Sequence, residues 1–441
     1  MKIISFFLVT ILLVFKSHAQ IGTVNFIDTS VPTAGITKIL SYDLNNDGFK
    51  DIITSTTGTN GRLGFYTNQT NASFSAFNQI EDFEFCRGFA MGNFNNDNEL
   101  DIVAIGKTTN ESKIYLSSNG SYSSFTLDIN SMVLNDVVVA DFDQNNLDDI
   151  VIIGQHSIDF YRNNSLGSFT KETILSTSTS PLVLECLDLA IQDIDNDGDI
   201  DIISGETAGL VIYTNNGNAI FTPNYYSITT EVFFLVHSFD VDNDGDFDIV
   251  GRNGSGHVKW FSNNGNGVMT YEATLSTIPN LISLSSIDYN NDGLEDIYAS
   301  YTNTISVFVN DTNHTFTNEI NVHQNSGLIM GQVAIANIDN QGNLDYVWSG
   351  GNNAIAFHLN ETTLSLNDIH LNSLVLFPNP TEGILNASKQ IDKLSLYNVI
   401  GEKLMEATHT NNIDISNFSQ GIYILNMENE GKSSIQKIVK R

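Results

Sequence analysis

Between residues 21 and 365 the apolar residues fall in short runs separated by polar stretches. Leu281-Ile-Ser-Leu-Ser-Ser-Ile287 alternates apolar with polar, and Ile297-Tyr-Ala-Ser-Tyr301 follows one polar gap later. Alternation with a period of two puts one face of an extended chain in a core, so both runs read as β-strands. A third run recurs after each gap: Phe65-Tyr66, Ile114-Tyr115, Phe160-Tyr161, Ile212-Tyr213, Trp260-Phe261, Val307-Phe308 and Ala356-Phe357. Asn-rich turns such as Asn215-Asn216-Gly217 follow, then a fourth run, for example Val268 to Leu275. Almost nothing in this stretch has helical periodicity.

The polar gaps are copies of one another. They begin at Asp43, Asn93, Asp141, Asp193, Asp240, Asp288 and Asn337, so the successive spacings are 50, 48, 52, 47, 48 and 49 residues. So regular a period identifies a repeat architecture, and four short strands per unit is a propeller blade. The chain reads as all-β: a seven-bladed β-propeller over 20–365 and a smaller β domain over 366–441. The seventh unit lacks a fourth strand, while Thr23-Val-Asn-Phe-Ile27 precedes the first loop with no blade of its own. It is expected to pair into the seventh blade as the outer strand.

Alignment on the loops gives meaning to single residues. Seven positions before each loop stand Ile36, Cys86, Leu134, Cys186, Phe233, Leu281 and Met330, an apolar column. Equivalent positions two blades apart are too distant for a disulfide, so Cys86 and Cys186 are expected to be buried free thiols. His237 interrupts a column of mostly small or apolar residues and reads as a histidine satisfied by a neighbour. Trp348 reads as a core filler, with stacking on a sugar as the other possibility.

The loops follow D-x-[DN]-x-D-G-x-x-D. Candidate ligands in the first three are Asp43, Asn45, Asp47, Asp51; Asn93, Asn95, Asp97, Asp101; and Asp141, Asp143, Asn145, Asp149. In the next three they are Asp193, Asp195, Asp197, Asp201; Asp240, Asp242, Asp244, Asp248; and Asp288, Asn290, Asp292, Asp296. The seventh offers Asp339 and Asp345. Alternate positions 1, 3 and 5 put oxygens on one side of a curled backbone, Gly at position 6 permits the turn, and position 9 returns a carboxylate. Such a set of hard oxygens suits Ca²⁺; without His or Cys it suits Zn²⁺ and Cu²⁺ poorly. The EF-hand reading fails, because position 12 holds residues such as Thr54, Ser204 and Trp348 instead of Glu and the flanks are strands. Counting carboxylates ranks loops four and five tightest, loops one, three and six intermediate, and loops two and seven weak or empty. Asn98 and Asn146 replace the turn glycine in loops two and three, and Asn tolerates the left-handed region.

Seven such loops in period resemble the FG-GAP or VCBS repeats of integrin-α-like propellers, whose calcium loops sit in a hairpin between blade strands. The resemblance spans roughly 21 to 365.

The two ends read differently. Lys2, an apolar run from Ile3 to Phe15, and Ser17-His18-Ala19 fit a secretory signal peptide over 1–19, too short to span a membrane. From about 370 the chain alternates apolar residues with Gly and Pro turns, which reads as a small β-sandwich. Pro378-Asn379-Pro380, Tyr397-Asn398…Gly401, Gly421-Ile-Tyr423 and the basic end closely resemble the type IX secretion sorting domain of Bacteroidetes. That resemblance implies recognition by the type IX machinery and export to the medium or outer surface of a Gram-negative cell.

The chain carries 19 basic and 51 acidic residues, a formal charge of −32, which disfavours nucleic acid and anionic membranes and favours cations. The nine histidines are scattered, and no nucleophile elbow, phosphate loop or dinucleotide fingerprint stands out. The expected function is a non-enzymatic calcium-binding propeller that captures an extracellular protein or glycan. The alternative is a polysaccharide-degrading, lyase-like enzyme, distinguished by a cluster of basic and acidic residues at the channel mouth.

Overall fold

The computed structural model describes residues 25–28, 35–359 and 376–441, apart from 71, 107–108, 130–132, 166, 177–185, 208, 227–230, 278–280, 291, 302–303, 312–313, 315, 317, 325–332, 342–343, 351–353, 399–402 and 430–431. The signal-peptide reading falls outside these residues. The chain divides into two compact units, Met1–Asn360 and Glu361–Arg441. All regular elements among the described residues are β.

Among the described residues the first unit contains seven four-stranded antiparallel sheets and one short two-stranded sheet. In the fourth, Cys186–Gln192, Asp201–Glu206, Gly209–Thr214 and Thr222–Tyr226 pair in chain order. The acidic loop joins the first two strands of each sheet. The seventh sheet is completed by Asn25–Asp28, which pairs antiparallel with Ala354–His358, as expected for the unassigned N-terminal run.

Seven apolar clusters hold the sheets together, each shared by two neighbours. Ile194, Ile203 and Ile212 of the fourth pack with Phe233, Ile249 and Phe261 of the fifth. The last cluster joins Ile39, Ile52 and Tyr66 of the first sheet to Val347, Ile355 and Phe357 of the seventh, so the row returns on itself as a propeller-like ring. The second strands explain this packing: Asp101–Gly106 and Asp149–Gly154 are buried at every residue, as a strand covered on both faces must be.

One feature of the first strands escapes a simple alternation reading. In six sheets the register slips by one residue near the start, between Ile36/Lys38, Cys86/Gly88, Leu134/Asp136, Cys186/Asp188, Phe233/Leu235 and Leu281/Ser283. A β-bulge of this kind lets residues three apart, such as Cys86 and Phe89, both face one core. Cys86 and Cys186 are buried and free, as the column alignment requires. Trp348 is fully buried in the cluster between the sixth and seventh sheets and fills core. His237 accepts or donates to Ser286 of the next sheet through Nε2 at 3.1 Å, and burial lowers its pKa to about 4.

In the second unit Leu376–Phe377, Ile384–Asn398, Lys403–Asp414, Gly421–Asn429 and Lys432–Lys440 form one hydrogen-bonded network around Leu385, Ile391, Leu396, Leu425 and Ile438. A register break between Asn386 and Ile391 interrupts the longest strand. Asn379 of the Pro-Asn-Pro element donates to the Lys437 carbonyl at 2.8 Å and accepts from the Val439 amide at 2.9 Å, pinning the motif to the last strand.

Candidate metal centre

Each loop is first a piece of backbone engineering. Where position 1 is Asp, its two oxygens bracket the turn: in loop four Asp193 Oδ1 accepts the Asp197 amide at 3.1 Å and Oδ2 the Gly198 amide at 3.0 Å. Loops one, three, five and six repeat the pair through Asp43, Asp141, Asp240 and Asp288. Gly198 sits at φ 92°, and Asn98 and Asn146 take the same region at 66° and 64°. Position 4 is also left-handed at Asn46, Asn96, Gln144, Asn196, Asn243 and Asn340, with φ of 57° to 61°, which suits the Asn or Gln found at that place.

Position 9 has a double role. Asp51, Asp101, Asp149, Asp201, Asp248, Asp296 and Asp345 are all buried. In loop four Asp201 Oδ2 accepts the amide of Ile194 at 2.9 Å, and Oδ1 accepts that of Asn215, at the end of the third strand, at 2.7 Å. The same two bonds tie Asp51, Asp101, Asp149, Asp248 and Asp296. Desolvation raises Asp149, Asp201 and Asp248 to about 7 and Asp51, Asp101 and Asp296 to about 6, against the backbone bonds that pull the other way.

The structure also reveals a column that sequence reading passed over as turn residues. Asn68, Asn163, Asn215, Asn263 and Asn310 extend their amides to the position-2 carbonyl of the preceding sheet's loop, at Ile338, Phe94, Phe142, Ile194 and Val241, at 2.7–2.8 Å. Their recurrence 22 to 25 residues after five of the seven loop starts was the available signal. Every loop so reached is therefore clamped to its neighbour.

The carboxylates gather where the motif places them. In loop four Asp193, Asp195 and Asp197 have oxygens within 4.8 Å of one another; so do Asp240, Asp242 and Asp248 in loop five and Asp141, Asp143 and Asp149 in loop three. Asp195 Oδ1 and Asp242 Oδ1 are buried oxygens with no hydrogen-bond partner. Burial and the neighbouring aspartates raise the pKa of both groups. An anionic oxygen hidden from water without a donor is costly unless a cation completes it, so these donor sets fit a hard divalent ion. Asp199 turns its carboxylate away from its own loop to Gln144 of loop three. In loops two and seven Asn93 and Asn337 stand at position 1, and neither brackets its turn in the manner of Asp193 among the described residues.

The four first strands Ile36–Tyr42, Cys86–Gly92, Leu134–Ala140 and Cys186–Gln192 bring further charges together. Lys38 lies 3.7 Å from Asp136, two sheets away, across Gly88, where a Cβ would come 3.9 Å from both side chains. Asp188 accepts the Val236 amide at 2.8 Å, and burial together with Asp136 holds its carboxyl well above the usual range while Lys38 and Arg87 oppose the shift.

Known proteins agree with this architecture. The FG-GAP-like repeat matches residues 43–104, 240–299 and 288–348, and the secretion system C-terminal sorting domain matches 375–441. No curated protein matches the chain at a significant level. Among solved structures, an Agrocybe aegerita lectin described as recognising non-reducing terminal N-acetylglucosamine aligns at 17% identity and TM-score 0.51, over 66% of this chain and 81% of the lectin. The BP39L lectin of Burkholderia pseudomallei aligns at 11% identity and TM-score 0.52, over 74% of this chain and 95% of its own. BBS1N, solved with ARL6DN, aligns at 11% and 0.54, over 78% and 98%. At these identities the likeness speaks for the fold alone. Among the described residues no helix is long and apolar enough to cross a membrane. The sorting domain directs the protein to the medium or the outer cell surface through the type IX machinery. The chain carries FG-GAP-like repeats in an all-β, propeller-like fold, followed by a type IX secretion sorting domain.

Proposed function

We propose that this exported propeller is a calcium-stiffened capture module for extracellular glycans. The observation that carries the calcium part is the pair of buried, partnerless carboxylate oxygens of Asp195 and Asp242, each within a cluster of acidic groups. Asp193, Asp195, Asp197 and Asp201 would hold one ion and Asp240, Asp242, Asp244 and Asp248 another, with loops one and six binding less tightly through Asp43, Asn45, Asp47, Asp51 and Asp288, Asn290, Asp292, Asp296. The ion supplies positive charge that the loops otherwise lack, which lets their carboxylates approach without repulsion. The glycan part is supported by the lectins among the proteins of similar fold. A glycan array probed with the protein in calcium and again in EDTA tests it. Binding to a defined glycan that weakens on chelation is expected; no glycan retained in either condition would refute the capture reading.

A second reading, a polysaccharide lyase, is favoured by one observation: Lys38, Arg87, Asp136 and Asp188 bring basic and acidic groups together on neighbouring first strands. Incubation with a panel of polyuronides, watching for unsaturated product, separates the two; turnover would establish the enzyme.

A further inference from the structure

Beyond its own Asn145 and Asn146, loop three is set apart from loops four and five by one side chain from outside the loop. Arg162, on the third strand Ser157–Ser165, places its Nη1 on Asp143 Oδ2, where Asp143 is the position-3 ligand. The other Asp143 oxygen accepts the Asn145 amide at 3.2 Å. Asp141 and Asp149 likewise spend both oxygens on backbone amides. In loops four and five the corresponding Asp195 and Asp242 each keep a buried oxygen with no partner.

Arg162 is not a wandering surface side chain. Its Nε donates to Glu172 at 3.0 Å, its Nη2 to the Asn218 carbonyl at 3.1 Å, and its guanidinium lies 5.2 Å from the centre of the Phe160 ring. The planar fork of arginine suits such fixed multiple bonding, and it stays charged at any working pH. The equivalent residues, each following the aromatic or apolar pair of the third strand, are Thr67, Leu116, Thr214, Ser262, Val309 and His358, none of them an arginine or lysine. Charge at positions 1, 3, 5 and 9 follows the same line: loop three has Asp141, Asp143 and Asp149 against Arg162, a net −2, whereas loops four and five carry −4 each at those positions.

We propose that Arg162 stands in for the ion in loop three, making it a metal-independent joint next to the calcium-dependent loops four and five. The inference rests on the calcium reading above for its contrast. Ion counting by native mass spectrometry in saturating calcium tests it on the wild type and three variants. Arg162→Ser, which copies Ser262, should carry one ion more than the wild type; Asp143→Asn should carry the same number; Asp195→Asn should carry one fewer. A folded Arg162→Ser protein with no added ion overturns the proposal, as does loss of an ion in Asp143→Asn. If Arg162→Ser fails to fold, the Asp143→Asn count decides. A wild type that binds no ion sinks the calcium reading alone, and Arg162→Ser still decides between a site opened by removing the guanidinium and none.

Discussion

Replacing Asp195 by Asn should change stability in opposite directions with and without calcium. The carboxylate oxygens of Asp193, Asp195 and Asp197 lie within 4.8 Å of one another, so Asp195 takes part in two repulsive pairs. At that separation each pair costs about 0.9 kcal/mol at the dielectric of water and more in a partly buried loop, so the two cost roughly 2 kcal/mol or above. Asn keeps the shape and removes the charge. In EDTA the variant should therefore be about 2 kcal/mol more stable than the wild type. In calcium at about a thousandfold excess over Kd, the wild type gains about 4 kcal/mol at this loop that the variant forgoes, leaving it about 2 kcal/mol less stable. For a unit of this size a kilocalorie moves Tm by about 1.5 °C, so shifts of about +3 °C and −3 °C are expected. Scanning calorimetry of both proteins in both buffers is the assay. A shift of the same sign in the two buffers would show that Asp195 does not face an ion.

The buried position-9 aspartates make the metal-free protein sensitive to pH. The folded pKa values of Asp51, Asp101, Asp149, Asp201, Asp248 and Asp296, about 6 to 7, lie above the unfolded value near 3.8, so their contribution is full below 3.8 and is lost as pH rises through 6 to 7. Tm in EDTA should fall between pH 5.5 and 8, and calcium should flatten the fall; a Tm that climbs with pH in EDTA contradicts this. Asn215→Ala removes two buried amide bonds, to Phe142 O at 2.7 Å and Ile200 O at 3.1 Å, and should cost about 2–4 kcal/mol with or without calcium, read by urea unfolding. Trp348→Ala should cost about 3–5 kcal/mol while leaving the glycan profile of the folded fraction unchanged, since its ring is sealed in core.

What could be read in the sequence was whatever repeats locally. The loop motif, its period, the apolar column holding Cys86 and Cys186, and the unassigned strand near Asn25 all announce themselves within one unit. The clamp column was visible as letters yet silent as function, because Asn215 looks like any turn asparagine until Phe142, 73 residues away, is seen beside it. The bulge near Cys86 was hidden because alternation counting assumes an unbroken strand. Ranking loops by their own carboxylates had no means of including Arg162, which reaches Asp143 from a strand 19 residues on.

Through these long-range bonds an ion held in one loop would also concern its neighbours. Asp201 holds the loop-four backbone and the end of its own third strand; Asn215, at that end, holds loop three. Asn263 does the same for loop five toward loop four. Along the surface, Gln144 of loop three meets Asp199 of loop four, and Asn196 of loop four donates to Asp246 of loop five at 2.8 Å. Loops three, four and five are thus one bonded row, and a cation that fixes the middle loop restrains the two beside it through buried amides. With the proposed ion bound, acidic loops that would spread apart alone would become rigid together, and such a stiff row would offer the proposed glycan a surface whose shape is set before it arrives, lowering the ordering cost of capture.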